Sequence, residues 1–315
     1  MTVAWVLGST GLVGSALCRE LRRQGTPLFA PADRLRWGRE AELVSQLAAA
    51  AHAFAERADA DERWEVYWAA GVGTMSSLIS DLALETRTLA LLLRLIESEP
   101  VLMAKPGALA FASSAGAIYA GSRNEIITEQ TAPAPTTAYA HEKLKQEGLV
   151  SSFALDTSQT TALLARISTI YGPGQSTGKQ QGLLAHIARC TVRNQPIQIY
   201  VPFDTIRDYI AVDDAAAVMV ASLRVSSQRP CVLTKIVASE HPTTIAEIIS
   251  IFKRITRRAP KIVTSANRLS SLYSRSVQFQ SVQIPECIPH SKTSLMIGIS
   301  QVMAAERAAF ASSSG

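Results

Sequence analysis

The chain has 315 residues, 47% hydrophobic and 18% charged, a balance that excludes a disordered or fibrous protein and allows about two globular domains. Lys and Arg exceed Asp and Glu by 31 to 26, spread along the chain without the basic face of a nucleic-acid binder, so no nucleic-acid partner is expected. No apolar run reaches the roughly 18 residues of a membrane span, and Met1–Leu7 lacks the basic start of a secretion signal, so a cytoplasmic protein without a membrane partner is expected.

In chain order, the N-terminal half alternates short apolar runs with helical patterns, the signature of βαβ units around a parallel sheet. Strands are predicted over Val3–Leu7, Pro27–Ala30, Glu65–Ala69, Leu109–Ser113 and Thr161–Ile167. Their near-continuous apolar character suits a sheet covered on both faces. Helices are predicted over Gly14–Gln24, Glu40–Glu56, Leu82–Glu97 and Tyr139–Leu155. Beyond the break at Gly172-Pro173-Gly174, a helix is predicted near Gly182–Val192 and strands near Ile197–Tyr200 and Asp208–Val212. Asp213 and Asp214 suit the positive end of a following helix, and Thr244-Ile245-Ala246-Glu247 matches a capping box. Ser265 to Pro285 reads as loop with one short strand. Cys18, Cys190, Cys231 and Cys287 are scattered and the five histidines dispersed, so reduced cysteines and no metal site are expected.

Gly8-Ser9-Thr10-Gly11-Leu12-Val13-Gly14 places three glycines between the first strand and the first helix. A dinucleotide's pyrophosphate needs such a turn: the backbone must approach closely, the helix must pack tightly, and the helix start must offer free N–H groups. Thr10, Leu12 and Val13, in the same turn, are cofactor-binding candidates. Ala69, Ala70 and Gly71, ending the strand that starts at Glu65, are small enough to let the backbone pass beside a ribose. Cofactor choice is set past the second strand, where an acid would bind the ribose 2′-OH of NAD and an Arg the 2′-phosphate of NADP. Asp33 serves NAD if that strand runs one residue longer. Arg34 favours NADP, the preferred cofactor of the two.

Tyr139 and Lys143 stand at i and i+4, on one helix face. A free phenol titrates near 10 and is a poor base at neutral pH, so a neighbouring ammonium and the positive ring of an oxidised nicotinamide would favour its ionised form. Upstream, Phe111-Ala112-Ser113-Ser114 ends a strand with hydroxyls that could polarise a substrate oxygen.

With those motifs in place, the chain resembles an extended short-chain dehydrogenase/reductase of the sugar-nucleotide epimerase/dehydratase group. The matching pieces are the glycine turn, Ser113-Ser114-Ala115-Gly116-Ala117-Ile118-Tyr119, Tyr139-Ala140-His141-Glu142-Lys143, Arg166-Ile167-Ser168-Thr169-Ile170-Tyr171-Gly172-Pro173-Gly174 and Arg207-Asp208-Tyr209-Ile210-Ala211-Val212-Asp213-Asp214. They fall in the family's order over about Val3 to Ala217, with a weaker match at Thr293-Ser294-Leu295 and Gly298-Ile299. The resemblance implies an α/β fold: a Rossmann-type doubly wound parallel sheet over 1–168, to which 207–232 returns. It also implies a smaller substrate lobe from 169–206 and 233–303, leaving 304–315 as a tail, and a homodimer. Tyr139 would be the acid/base, Lys143 its tuner and ribose anchor, and a Ser the partner of the substrate oxygen. Thr169 and Arg207 would meet a nucleotide sugar, Arg207 at its pyrophosphate.

Departures fall on the substrate side. The family's catalytic hydroxyl sits four residues before the motif's Tyr, which is Ala115 here; Ser114 is therefore chosen, with Ser113 as runner-up. Thr169 stands where many relatives carry Asn, and Val201-Pro202-Phe203-Asp204 replaces a glycine hairpin before Arg207. No carboxylate follows Ser114, which ranks dehydration low and leaves 4-epimerisation or keto-sugar reduction of a nucleotide sugar. Alternatives are an NADPH-dependent reductase of a non-nucleotide carbonyl compound and a non-catalytic NAD(P)-sensing protein.

Overall fold

The chain is seen in a computed structural model that describes residues 1–71, 73–74, 77–175, 182–227, 231–264, 277–284 and 292–313. Its first half runs β1 (Thr2–Leu7), α1 (Leu12–Arg23), β2 (Leu28–Phe29), α2 (Glu40–Asp59), β3 (Arg63–Trp68), α3 (Ile79–Glu97), α4 (Pro100–Met103), β4 (Gly107–Ser114), α5 (Ala115–Ile118), β5 (Ile126–Ile127), α6 (Ala138–Asp156) and β6 (Thr160–Ile167). The second half runs β7 (Thr169–Tyr171), α7 (Leu183–Val192), β8 (Ile197–Ile199), β9 (Ile206–Ala211), α8 (Val212–Ser226), β10 (Val232–Val237), β11 (Pro242–Thr244), α9 (Ile245–Thr256), β12 (Ile262–Thr264), β13 (Gln278–Phe279) and α10 (Leu295–Ser313).

Six parallel strands form the central sheet in the order β10-β6-β4-β3-β1-β2. Chain direction across the sheet reverses at β1, so the mouth beside β1 and β3 is the switch point where a doubly wound sheet takes its ligand. The pleat divides the core. Val3, Trp5 and Leu7 of β1 join the cluster under α2 and α3, whereas Ala4 and Val6 join the one under α1 and α8. Both faces are buried, which explains the strands' near-continuous apolar runs.

Each sheet face also carries an arginine fork on a buried glutamate. Glu147 of α6 accepts from Arg166 of β6 at 3.0 Å (Nε) and 2.6 Å (Nη2), and from the Ser113 hydroxyl of β4 at 2.6 Å. On the opposite face Arg224 of α8 donates twice to Glu65 of β3, both at 3.0 Å, and Tyr67 donates to the same carboxylate. The forks fix the angle at which α6 and α8 lie on the sheet.

The second half builds a lobe around a three-stranded sheet, order β11-β9-β7, and the parallel pair β8–β12. Its core joins α7, α9 and α10. The expected capping box at the start of α9 is formed, with Thr244 and Glu247 each accepting the other's backbone N–H.

Two boundaries drawn on the sequence differ from the structure. The main sheet does not end at 232: β10 pairs with β6 as far as Val237 on Ile167, because its inner residues Ile236 and Val237 are fully buried. Residues 304–313 are no tail. They continue α10, anchored by buried Val302 and Met303 and by Glu306 at 3.1 Å from Arg189 of α7. Of the loop expected from Ser265 to Pro285, the described part carries the short strand β13, paired with β5; 265–276 and Pro285 lie outside the described residues, as does Cys287.

Removing one partner of a buried ion pair strands the other charge, which costs about 3–5 kcal/mol. Glu147→Ala should therefore lower unfolding stability by about that amount in urea titrations. A loss below about 1 kcal/mol would mean that Arg166 finds water once Glu147 is gone.

Candidate active site

The glycine turn leaves no room for side chains where a ligand must come close. A Cβ on Gly8, whose φ is +81°, would sit 2.6 Å from the Ala69 carbonyl oxygen, and one on Gly14 would lie 2.1 Å from the Gly8 carbonyl oxygen. The first strand's turn thus presses directly on Ala69 and Ala70 at the mouth of β3. Gly11 precedes α1 at its N-cap and no side chain caps the helix, so its first N–H groups remain open beside the exposed Thr10 and Gly11. Leu12 and Val13 form its first turn. An uncapped helix start behind a bare-backbone turn fits a pyrophosphate, and the residues present fit a dinucleotide.

Beyond Ala70 the loop passes Gly71 (φ +144°) and Gly73. Both pack against the carboxylate of Glu85 on α3, whose Oε1 accepts the Gly73 N–H at 2.6 Å.

Tyr139 and Lys143 lie on α6, which opens at Thr137 with its hydroxyl accepting the Ala140 N–H at 3.2 Å. The Lys143 ammonium is buried 4.9 Å above the Phe111 ring and 5.8 Å from that of Tyr139, and reaches the Ala112 carbonyl at 3.5 Å. Burial pushes Tyr139 up to about 12, Glu85 adds to the rise, and a hydrogen bond with the Ser114 side chain pulls the other way. Burial draws the Lys143 ammonium below its usual range, against the opposing pull of Glu85 and Glu147. In the folded chain the phenol is therefore neutral at physiological pH.

The two serines part company because successive strand residues face opposite ways. Ser113 follows Phe111 toward α6 and is spent on Glu147; Ser114, half-buried at the end of β4, is the one beside Tyr139. That alternation was readable from the sequence. Glu85 was not: a single carboxylate in a leucine-rich helix carries no signal until α3 is placed against the mouth of β3.

The other candidates stand on other elements. β2 ends at Phe29, one residue short of the expected strand end, so Asp33 and Arg34 stand exposed in the loop past the sheet edge. In that loop Arg36 and Arg39 both bind Glu42 at 2.8 Å, while Arg34 has no ion pair among the described residues. Trp37 stands edge-on to Trp68 at the end of β3, 6.1 Å between rings. Thr169 and Arg207 occupy neighbouring strands of the second sheet, Thr169 opposite Tyr209. Arg207 donates to the Ile206 carbonyl at 2.8 Å. Among the described residues no cluster of His, Cys, Asp or Glu could hold a metal ion, and no helix is long and apolar enough to cross a membrane.

Solved structures share this architecture. A UDP-glucose 4-epimerase from Thermotoga maritima, seen with UDP-glucose, superposes with a TM-score of 0.78 at 17% identity, over 98% of this chain and 100% of that one. RMD from Pseudomonas aeruginosa, complexed with NADPH, gives 0.79 at 19% identity with the same coverage. At such identities the likeness establishes the fold alone. Among curated proteins, dTDP-L-rhamnose 4-epimerase of Burkholderia thailandensis is 34% identical over 96 residues, 30% of this chain and 26% of that protein. dTDP-4-dehydro-6-deoxyglucose reductase of Escherichia coli is 30% identical over 113 residues, 36% of this chain and 35% of that protein. These matches cover well under half of either relative. The model of the NAD dependent epimerase/dehydratase family matches residues 4–232, from β1 to the start of β10. With that span matched, and with the glycine turn and the Tyr139–Lys143 helix lying within it, the chain belongs to the NAD dependent epimerase/dehydratase family.

Proposed function

We propose that the protein moves a hydride at a sugar carbon of a nucleotide sugar, as a 4-epimerase or ketoreductase, with Tyr139 as acid/base and NADP preferred to NAD. The observation that carries this reading is the cluster at the strand mouths. A neutral phenol lies beside a serine hydroxyl and one helical turn from a buried ammonium.

The bound nicotinamide supplies or receives the hydride. The protein's own residues handle the proton. As the substrate oxygen gains charge, Tyr139 gives up its phenolic proton to it, and the Ser114 hydroxyl donates a hydrogen bond to the same oxygen. The Lys143 ammonium stabilises the phenolate left behind, and burial strengthens that attraction. In the reverse direction Tyr139 removes the proton from a sugar hydroxyl. Gly8, Gly11 and Gly14 admit the pyrophosphate, with Thr10, Leu12 and Val13 around it, while Ala69, Ala70 and Gly71 flank the adjoining ribose. Thr169 and Arg207 would meet the nucleotide sugar from the second lobe.

The NADP preference is supported by Arg34. Its neighbours Arg36 and Arg39 are occupied by Glu42, so Arg34 is the guanidinium of that loop left for a 2′-phosphate. Asp33, in the same exposed loop, is the residue that would serve NAD.

Tyr139→Phe should cut turnover by at least ~10²-fold, the usual scale of a general acid/base, while the dissociation constant for cofactor stays within about twofold. An equal loss of cofactor binding would assign Tyr139 to binding. Arg34→Ala should weaken NADPH about tenfold or more, the loss of a charge-assisted hydrogen bond, and leave NADH unchanged in fluorescence titrations. Unchanged affinity for both would remove Arg34 from the site.

A further inference from the structure

The second lobe holds a cavity of about 500 Å³, lined by none of the residues placed at the cofactor or the sugar. Its walls are the last turn of α7, the turn that carries α9 into β12, and α10. Part of the wall is apolar: Ile197 and Met303 are buried there, and Pro260 is half-buried. The rim is basic. Arg258, Lys261 and Arg307 line it and are exposed, and none of them has an ion pair among the described residues. No carboxylate lines the cavity; Glu306, next to Arg307 in sequence, is held by Arg189 at 3.1 Å. Cations do collect at the carbonyl ends of helices, yet α7 does not need these as caps. Past it the chain turns back through Asn194, at φ +54°. Cys190 O there accepts the Gln195 N–H at 2.8 Å, and Thr191 O accepts the Asn194 N–H at 3.2 Å. The basic turn is itself pinned, because the Lys261 carbonyl accepts the Ile197 N–H at 2.7 Å.

We propose that this cavity binds a small organic polyphosphate, a molecule of nucleotide size, through residues that take no part in the catalytic cleft. Three observations converge on that chemistry. The volume lies in the range of small-molecule sites and far exceeds what a bare phosphate fills. The guanidinium groups of Arg258 and Arg307 offer paired N–H donors that match phosphate oxygens, and Lys261 adds a third charge. Ile197, Met303 and Pro260 give an organic group an apolar surface, and a low-dielectric wall behind unpaired cations strengthens their field toward an entering anion. Helices α7, α9 and α10 share one core, so an occupant touching all three at this end stabilises the folded lobe. The proposal is independent of the role of Tyr139.

The test is calorimetric titration of the NADPH-saturated protein with ADP, the NADPH filling the glycine turn. ADP should bind, raise the unfolding temperature, and bind more tightly than inorganic pyrophosphate, which lacks the organic part. The triple variant Arg258→Ala/Lys261→Ala/Arg307→Ala should weaken ADP at least about tenfold, the scale of one charge-assisted hydrogen bond. Should the triple variant not fold, Arg307→Ala alone decides, with a loss of about threefold or more expected of an exposed charge. Arg22→Ala/Arg94→Ala/Arg254→Ala removes as many exposed charges outside the cavity and should change ADP affinity less than about twofold. Arg207→Ala should leave it unchanged. Absence of ADP binding overturns the proposal, as does equal affinity for pyrophosphate or an equal loss in the two triple variants. So does binding that Arg207→Ala abolishes and the cavity variant retains, which puts the nucleotide in the sugar site and leaves the acid/base reading intact.

Discussion

A carboxylate buried between the central sheet and α6 determines where the phenol and the ammonium stand. Glu147 takes a two-pronged bond from Arg166 on β6 and a hydroxyl from Ser113 on β4, and it lies one turn beyond Lys143 on the same helix. Rotation or sliding of α6 would break all three bonds and leave charges in a dry interior. Such a pair adds little net stability over an apolar filling, yet it penalises every other arrangement severely. The arrangement it selects is the one in which Tyr139 meets Ser114.

From that anchor the site extends as one contiguous surface along the strand mouths. Ser114 ends β4, and the Glu85 carboxylate lies against Gly71 and Gly73 beyond β3. Ala69 and Ala70 abut Gly8 at the end of β1. Small residues recur along this line because two backbones, or a backbone and a carboxylate, occupy the space a side chain would need. At the far edge the sheet stops after the two residues of β2, and the arginine-rich loop that follows takes over. A short edge strand exposes few backbone groups to foreign chains and leaves room beside the cleft.

The second lobe is tied to the first through buried polar groups. Asp208 of β9 accepts from Ser168 at 2.6 Å and from the Ser239 backbone and hydroxyl at 2.8 and 2.9 Å, linking the strand ends of β6 and β10 to the second sheet. Lys235, fully buried in β10, donates to the Ser281 hydroxyl and to the carbonyls of Gln283 and Ile284, and Glu129 accepts from the same Ser281. Thus the segment after β13 is fastened to the rim of the central sheet, and these fully paired groups avoid the cost of burial without a partner.

By itself the sequence determined what depends on neighbours along the chain. The glycine spacing, the alternation of strands and helices, the Tyr139–Lys143 face and the capping box at Thr244 all follow from local geometry: a turn that tolerates no Cβ, a pleat of two, a helical turn of about four residues. The same alternation separates Ser113 from Ser114. Tertiary structure decided what depends on residues distant in sequence. Glu85 gains its place only when α3 lies beside α6, β10 joins the main sheet beyond 232 because β6 offers it an edge, and α10 runs on past Met303 with Glu306 paired to Arg189 of α7. No spacing rule encodes such meetings, because each is set by which surfaces pack once the sheet has formed.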